Sequence, residues 1–198
     1  MLYNLLFPFA DQFSALNLFR YITFRTGGAV ITALLISFLF GPPLIRWLKS
    51  RQRYGQPIRD DGPEDHLLRK QGTPTMGGIL ILFSIFITTV IWGNISNHYV
   101  NILLLTLMLF GFIGFIDDYL MQVKKRNMGF TAKGKFFIQI LFALIISWLI
   151  YQCPDFDPTL TIPFLKDVSP DLGLWYIPFG CLVIVGTSNA VNLTDGLD

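Results

Sequence analysis

Tyr99-Val-Asn-Ile-Leu-Leu-Leu-Thr-Leu-Met-Leu-Phe-Gly-Phe-Ile-Gly-Phe-Ile-Asp117-Asp118-Tyr119 is the stretch that decides the fold. It carries no charge until two carboxylates close it, and its apolar part, Tyr99 to Ile116, makes a helix of about 27 Å at 1.5 Å per residue. A hydrocarbon core is about 30 Å thick, so the stretch reads as a membrane span that ends on an acid pair. Adjacent carboxylates repel, and their desolvation beside a bilayer is costly. Such a pair points to a metal, a cation or a phosphate that offsets the cost. The plainer alternative is a span that ends and faces water.

Composition agrees with a membrane protein. Of 198 residues, 53% are hydrophobic and 14% charged, too apolar for an ordinary soluble domain. Thr26 to Ile45 is free of Asp, Glu, Lys and Arg and gives a first span. Gln71 to Ile116 is also uncharged, but Gly93-Asn-Ile-Ser-Asn-His98 breaks it into spans at Thr75 to Trp92 and Tyr99 to Ile116. Phe136 to Cys153 is a fourth span, closed by Pro154. Leu172 to Thr194 is a fifth, with a bend expected at Pro178 and Gly180. The expected fold is therefore all-α, a polytopic bundle of five transmembrane helices forming a single membrane domain over 1–198. Met1 to Ala10 is apolar but has no basic lead and no small-residue cleavage site, so it reads as an interfacial segment rather than a cleaved signal. Cys153 and Cys181 are assigned neither a disulfide nor a metal.

Lys and Arg set the orientation. Arg46, Lys49, Arg51, Arg53, Arg59, Arg69 and Lys70 follow span one, and Lys124, Lys125, Arg126, Lys133 and Lys135 follow span three. The opposite connections hold only Lys166 against Asp155, Asp157, Asp167 and Asp171. The positive-inside rule then puts the N-terminus outside and both basic connections in the cytoplasm. The acid pair and the polar end of span five, Asn192 to Asp198, share that face. An interfacial site of this kind can take a water-soluble substrate from one side and a lipid from the other. A channel or small-solute transporter would instead need polar groups or broken helices at mid-membrane, and the spans hold few.

Two further motifs lie on that face. In Lys70-Gln-Gly-Thr-Pro-Thr-Met-Gly-Gly78, Thr73 and Pro74 read as an N-cap and first helical residue of span two. Lys70, Thr75 and the paired glycines then surround a helix terminus able to take a phosphate. The glycines could equally serve helix packing, and Lys70 could be a topology signal. In Gly186-Thr-Ser-Asn-Ala-Val-Asn192-Leu-Thr-Asp195-Gly196-Leu-Asp198, Asn189, Asn192, Asp195 and Asp198 recur at i,i+3. A helix aligns these amides and carboxylates along one face, a strip suited to a nucleotide or a cation-bound diphosphate.

Together with Asp60-Asp-Gly-Pro-Glu-Asp-His66 and Phe112-Ile-Gly-Phe-Ile-Asp-Asp-Tyr119, these stretches resemble the motifs of the phospho-N-acetylmuramoyl-pentapeptide transferases, within the polyprenyl-phosphate N-acetylhexosamine-1-phosphate transferases. The resemblance runs along almost the whole chain. It implies transfer of phospho-N-acetylmuramoyl-pentapeptide from the UDP-linked sugar to undecaprenyl phosphate, releasing UMP, with Mg2+ as cofactor, on the inner face of the bacterial plasma membrane. It also implies that Asp117 serves as base for the lipid phosphate and that Asp118 holds the cation or orients substrate. A two-step route through a phosphorylated Asp stays open. Lys70, Lys133 and Lys135 are implied phosphate clamps, and Asn192, Asp195, Gly196 and Asp198 are implied nucleotide-side positions. The expected partners are the two substrates, the bilayer and, optionally, a second copy of the chain; nucleic acid is not among them. Family members have about ten spans, with a further metal-binding Asp and a His-rich motif in later loops. The chain is accordingly expected to be an N-terminal half and inactive by itself.

Overall fold

The computed structural model describes residues 1–52, 75–124, 130–164 and 168–195. Among them there is no strand, only an isolated antiparallel bridge between Thr159 and Asp171. The helices are α1 (Leu2–Leu6), α2 (Ile22–Arg51), α3 (Gly78–Trp92), α4 (His98–Lys124), α5 (Ala132–Tyr151) and α6 (Tyr176–Asp195), with short 3-10 turns around them. The chain divides into two compact units, Met1–Thr131 and Ala132–Asp198.

Among the described residues four helices are long and apolar enough to cross a membrane: Ile22–Arg51, His98–Leu120, Ala132–Tyr151 and Gly173–Leu193, the last including a 3-10 turn. The all-helical membrane fold is as expected, with one long span fewer than the expected five among these residues. The helix in the place of span two has 15 residues, Gly78–Trp92, and a rise of about 22 Å. Thr75 and Met76 precede it in a bend, and Met76 has φ +71°, which no α-helix accommodates. The N-cap of this helix is Gly77; the expected entry at Thr73 and Pro74 lies outside the described residues. Pro178 falls in the first turn of α6, where a missing N–H forfeits no helical bond.

In the first unit, α2 and α3 pack antiparallel. The Gly28 backbone lies against the Trp92 indole so closely that a Cβ there would collide with the ring. Trp92 Nε1 donates to Thr32 Oγ1 at 3.0 Å, and Ser84 Oγ reaches across to the Ala33 carbonyl at 3.2 Å. Apolar attraction between helices is weak where lipid competes for the same surfaces, so small residues and interhelical hydrogen bonds carry the association. The segment before α2 packs on the Trp92 end of this pair. Phe19 stacks on Trp92 at 6.0 Å, Arg25 lies over the Tyr3 ring at 4.6 Å, and Asn4 Nδ2 donates to Ser96 Oγ at 2.6 Å. A short turn, Gly93 to Asn97, returns the chain into α4, so the Asp117 end of α4 lies at the same end as the start of α3.

In the second unit, α5 and α6 pair antiparallel. Gly180 admits the Ser147 side chain so closely that a Cβ would sit 2.7 Å from its Oγ. Gln139 is 3% exposed and accepts at Oε1 from Asn189 Nδ2 at 2.9 Å. The connection between these helices is built from local bonds: Asp157 Oδ1 accepts from the Thr159 N–H and hydroxyl, and Asp171 Oδ1 accepts from the Gly173 N–H at 2.8 Å.

Candidate active site

The acid pair does not end its helix. α4 continues past Asp118 to Lys124, and both carboxylates are half-buried on its last turns. Asp117 Oδ1 accepts a 2.8 Å hydrogen bond from the backbone N–H of Phe130. That bond crosses the basic connection and ties the residue before the α5 segment back to α4. Asp117 is thereby tied into the end of the unit.

At the same end, Thr75 is held by Gln52, the residue that terminates α2. The Thr75 N–H donates to Gln52 Oε1 at 2.8 Å, and Gln52 Nε2 donates to the Thr75 carbonyl at 3.2 Å. No described residue comes within 4 Å of a Cβ built at Gly77 or Gly78. The packing reading of the two glycines thus finds no partner among the described residues. Lys70, with Thr73 and Pro74, lies outside the described residues.

In the second unit, Lys133 is exposed and Lys135 half-buried, both in the opening turns of α5. Cations at a helix N-terminus oppose the positive end of the dipole. Lys133 and Lys135 thus bring two cations to the opening turns of α5. Asn192 is exposed near the end of α6, and Asp195 is the last described residue. Gly196 and Asp198 lie outside the described residues. Asn189, placed by its spacing on the same strip, turns instead into the bundle, where its amide bonds Gln139 Oε1 and the Val185 carbonyl.

Three groups had no signal in the sequence that assigned them to the site: Gln52, the Phe130 backbone and Gln139. Each acts through a contact of at least 13 residues' separation. Among the described residues no three His, Cys, Asp or Glu side chains gather as a metal cluster. The Asp117–Asp118 donor set nonetheless fits Mg2+, an ion commonly held by one or two carboxylates with waters and substrate phosphates completing its shell.

Residues 100–198, half the chain, match the glycosyl transferase family 4 model. The chain belongs to that family of membrane phosphoglycosyl transferases. Within it, residues 70–82 match signature 1 of phospho-N-acetylmuramoyl-pentapeptide-transferase. Over its full length the chain is 64% identical to the phospho-N-acetylmuramoyl-pentapeptide-transferase of Desulforapulum autotrophicum and 54% identical to that of Desulfosudis oleivorans. It is also 54% identical to the protein of the same name from Granulibacter bethesdensis. It covers 55% of each, so the chain spans about half the length of the curated relatives it matches. The family expected from the four motif stretches is the one that matches.

Proposed function

We propose that the chain forms part of an enzyme that transfers phospho-N-acetylmuramoyl-pentapeptide from its UDP conjugate to undecaprenyl phosphate at the cytoplasmic face of the bacterial inner membrane, releasing UMP. The observation that supports this reading most is the signature match at residues 70–82, which begins at Lys70 and includes Thr75, Gly77 and Gly78. The reaction forms a bond from a lipid phosphate oxygen to the β-phosphorus of the nucleotide sugar. It breaks the bond from that phosphorus to the bridging oxygen, and UMP leaves with the electron pair. Little covalent work falls to the protein; charge neutralisation and alignment decide the rate.

Asp117, fixed by the Phe130 N–H, takes the proton of the attacking phosphate, and Asp118 supplies the second carboxylate of the cation site. Mg2+, when bound there, neutralises charge on the diphosphate oxygens. Thr75 and Lys70 bind phosphate at the start of α3, and Lys133 and Lys135 do so at the start of α5. Asn192, Asp195, Gly196 and Asp198 serve the nucleotide. In our reading, turnover draws also on parts of the relatives beyond the length that this chain spans.

The test is UMP release by the protein expressed from its full reading frame, in detergent with undecaprenyl phosphate, Mg2+ and UDP-N-acetylmuramoyl-pentapeptide. Release with that sugar and not with UDP-N-acetylglucosamine is expected. The opposite preference would make the protein a sister transferase, and release with neither would end the reading.

A further inference from the structure

Gln52 closes α2, with its own N–H still bonded to the Leu48 carbonyl at 2.8 Å. Its side chain then does what a neighbouring β-strand would do, accepting from the N–H of Thr75 and donating to the carbonyl of the same residue. Only a primary amide of this length offers acceptor and donor side by side; a carboxylate lacks the donor. The bonded residue is the turning point of the chain. Immediately after it Met76 takes φ +71°, a left-handed conformation that costs a residue with a Cβ, and two residues later α3 begins. A strained backbone persists where neighbours over-determine it, and the two bonds from Gln52 help to fix the residue before the strain. The Thr75 hydroxyl stands 3.5 Å from Gln52 Oε1, too long to be a strong bond, so the amide holds the backbone of Thr75 and not chiefly its side chain.

We infer that Gln52 is a positioning residue for the phosphate-binding start of α3: by pairing with the Thr75 backbone across 22 intervening residues it sets where the Thr75 side chain and the α3 N–H groups meet substrate. The inference rests on the function proposed above. It assigns a role to a residue outside the matched signature.

Two measurements on the full-length protein test it. Hydrogen exchange by mass spectrometry, on the peptide containing Thr75, reads the clamp without reference to activity. Gln52→Ala should speed exchange of the Thr75 amide, and Gln52→Glu, which still accepts from it, should speed it less. Steady-state kinetics read the role. A displaced binding group raises KM in the folded fraction, whereas simple loss of folded protein lowers apparent kcat at unchanged KM. Gln52→Ala should raise KM for UDP-N-acetylmuramoyl-pentapeptide about 10-fold or more, since misplacement by about 1 Å can cost roughly 100-fold. Met76→Gly in the Gln52→Ala background should recover part of that loss, because glycine adopts φ +71° without the penalty. Unchanged exchange in Gln52→Ala overturns the clamp whatever the substrate is. Faster exchange at unchanged KM overturns the positioning role alone. A wild-type protein that releases no UMP overturns the functional reading and the positioning role with it, while the exchange result still decides the clamp.

Discussion

Replacing Asp117 separates its two duties. Its Oδ1 holds the Phe130 N–H at 2.8 Å, and its charge is the one proposed to take a proton. Asp117→Asn keeps an Oδ1 acceptor of the same reach and removes the charge. Asp117→Ala removes both. A hydrogen bond to a charged acceptor contributes about 1.5–3 kcal/mol; for this half-exposed group the low end applies, and Asn, as a neutral acceptor, retains about 1 kcal/mol of it. Loss of a base in phosphoryl transfer depresses kcat by about 10² to 10⁴ with KM little changed. Asp117→Asn should therefore insert, purify and melt close to wild type while turning over at 1% or less, on the order of the lower bound of that range. Asp117→Ala should be equally slow and melt measurably lower. The assays are UMP release per folded molecule and the thermal midpoint in detergent, both on the full-length protein. If Asp117→Asn turned over near the wild-type rate while Asp117→Ala failed, the residue would be a tie for Phe130 and nothing more, and the assignment of a base would have to be withdrawn.

Other expected outcomes follow from single contacts. A double-mutant cycle on Gln139 and Asn189, each to Leu, should give a coupling of about 0.6 kcal/mol and no more than about 1.7, the mean and the maximum found for hydrogen bonds within a membrane protein; zero coupling would mean that the 2.9 Å bond does not hold α5 to α6. Gly180→Ala should lower the thermal midpoint because its Cβ meets Ser147 Oγ at 2.7 Å. Adding Ser147→Ala should restore most of it, since that hydroxyl is buried without a partner and its removal leaves no group unsatisfied. Asp157 is held below the usual carboxylate range by the Thr159 hydroxyl first and the Thr159 N–H second. A depressed folded pKa gives stability that is present above the unfolded value of about 3.9 and is lost as pH falls through the folded one. The turn should hence loosen only in acid below about pH 4, and Thr159→Ala should move the carboxyl titration upward by NMR; an unmoved titration would refute that cause. Residues 1–198 alone should release no UMP under conditions where the full-length protein does.

What the sequence disclosed and what it withheld divide by the range of the interaction. Tyr99 to Ile116 could be read as a span because every residue reports on the same environment, lipid. The acid pair was visible because charge beside such a run is costly wherever the chain goes. The hold of Gln52 on the Thr75 backbone could not be read, because the two residues are remote in sequence. Asn189 and Asn192 have the same spacing and chemistry, yet one faces Gln139 and the other is exposed. An i,i+3 relation says that two residues are neighbours on a helix, and α5 decides which of them is covered. Thr75 to Trp92 was read as one span from its lack of charge and its apolar run, which cannot show a left-handed residue at position 76.

The two placed elements of the site in the first unit are held by one device used twice. Gln52 from the end of α2 takes the backbone of Thr75, and Asp117 from the last turns of α4 takes the backbone of Phe130; each bond spans a polar connection at the same end of the unit. Side-chain packing among the described residues contributes less there, because Phe38, Leu39, Leu103 and Phe112 are all more than half exposed. A membrane helix can shift along its axis at little cost in apolar contact, since lipid replaces whatever neighbour it loses. A side chain bonded to backbone cannot shift by even about 1 Å without losing the bond. The residues proposed to align phosphates are thus held by directional bonds at helix ends, and their tolerance to substitution should follow donor and acceptor geometry rather than side-chain volume. Gln52→Met and Asp117→Leu, which preserve bulk, should be as damaging as alanine at the same positions, whereas Leu103→Ala at an exposed position should leave UMP release within about 2-fold of wild type, an exposed site being near neutral; a volume-ordered series at positions 52 and 117 would show that packing, not hydrogen bonding, holds this end together.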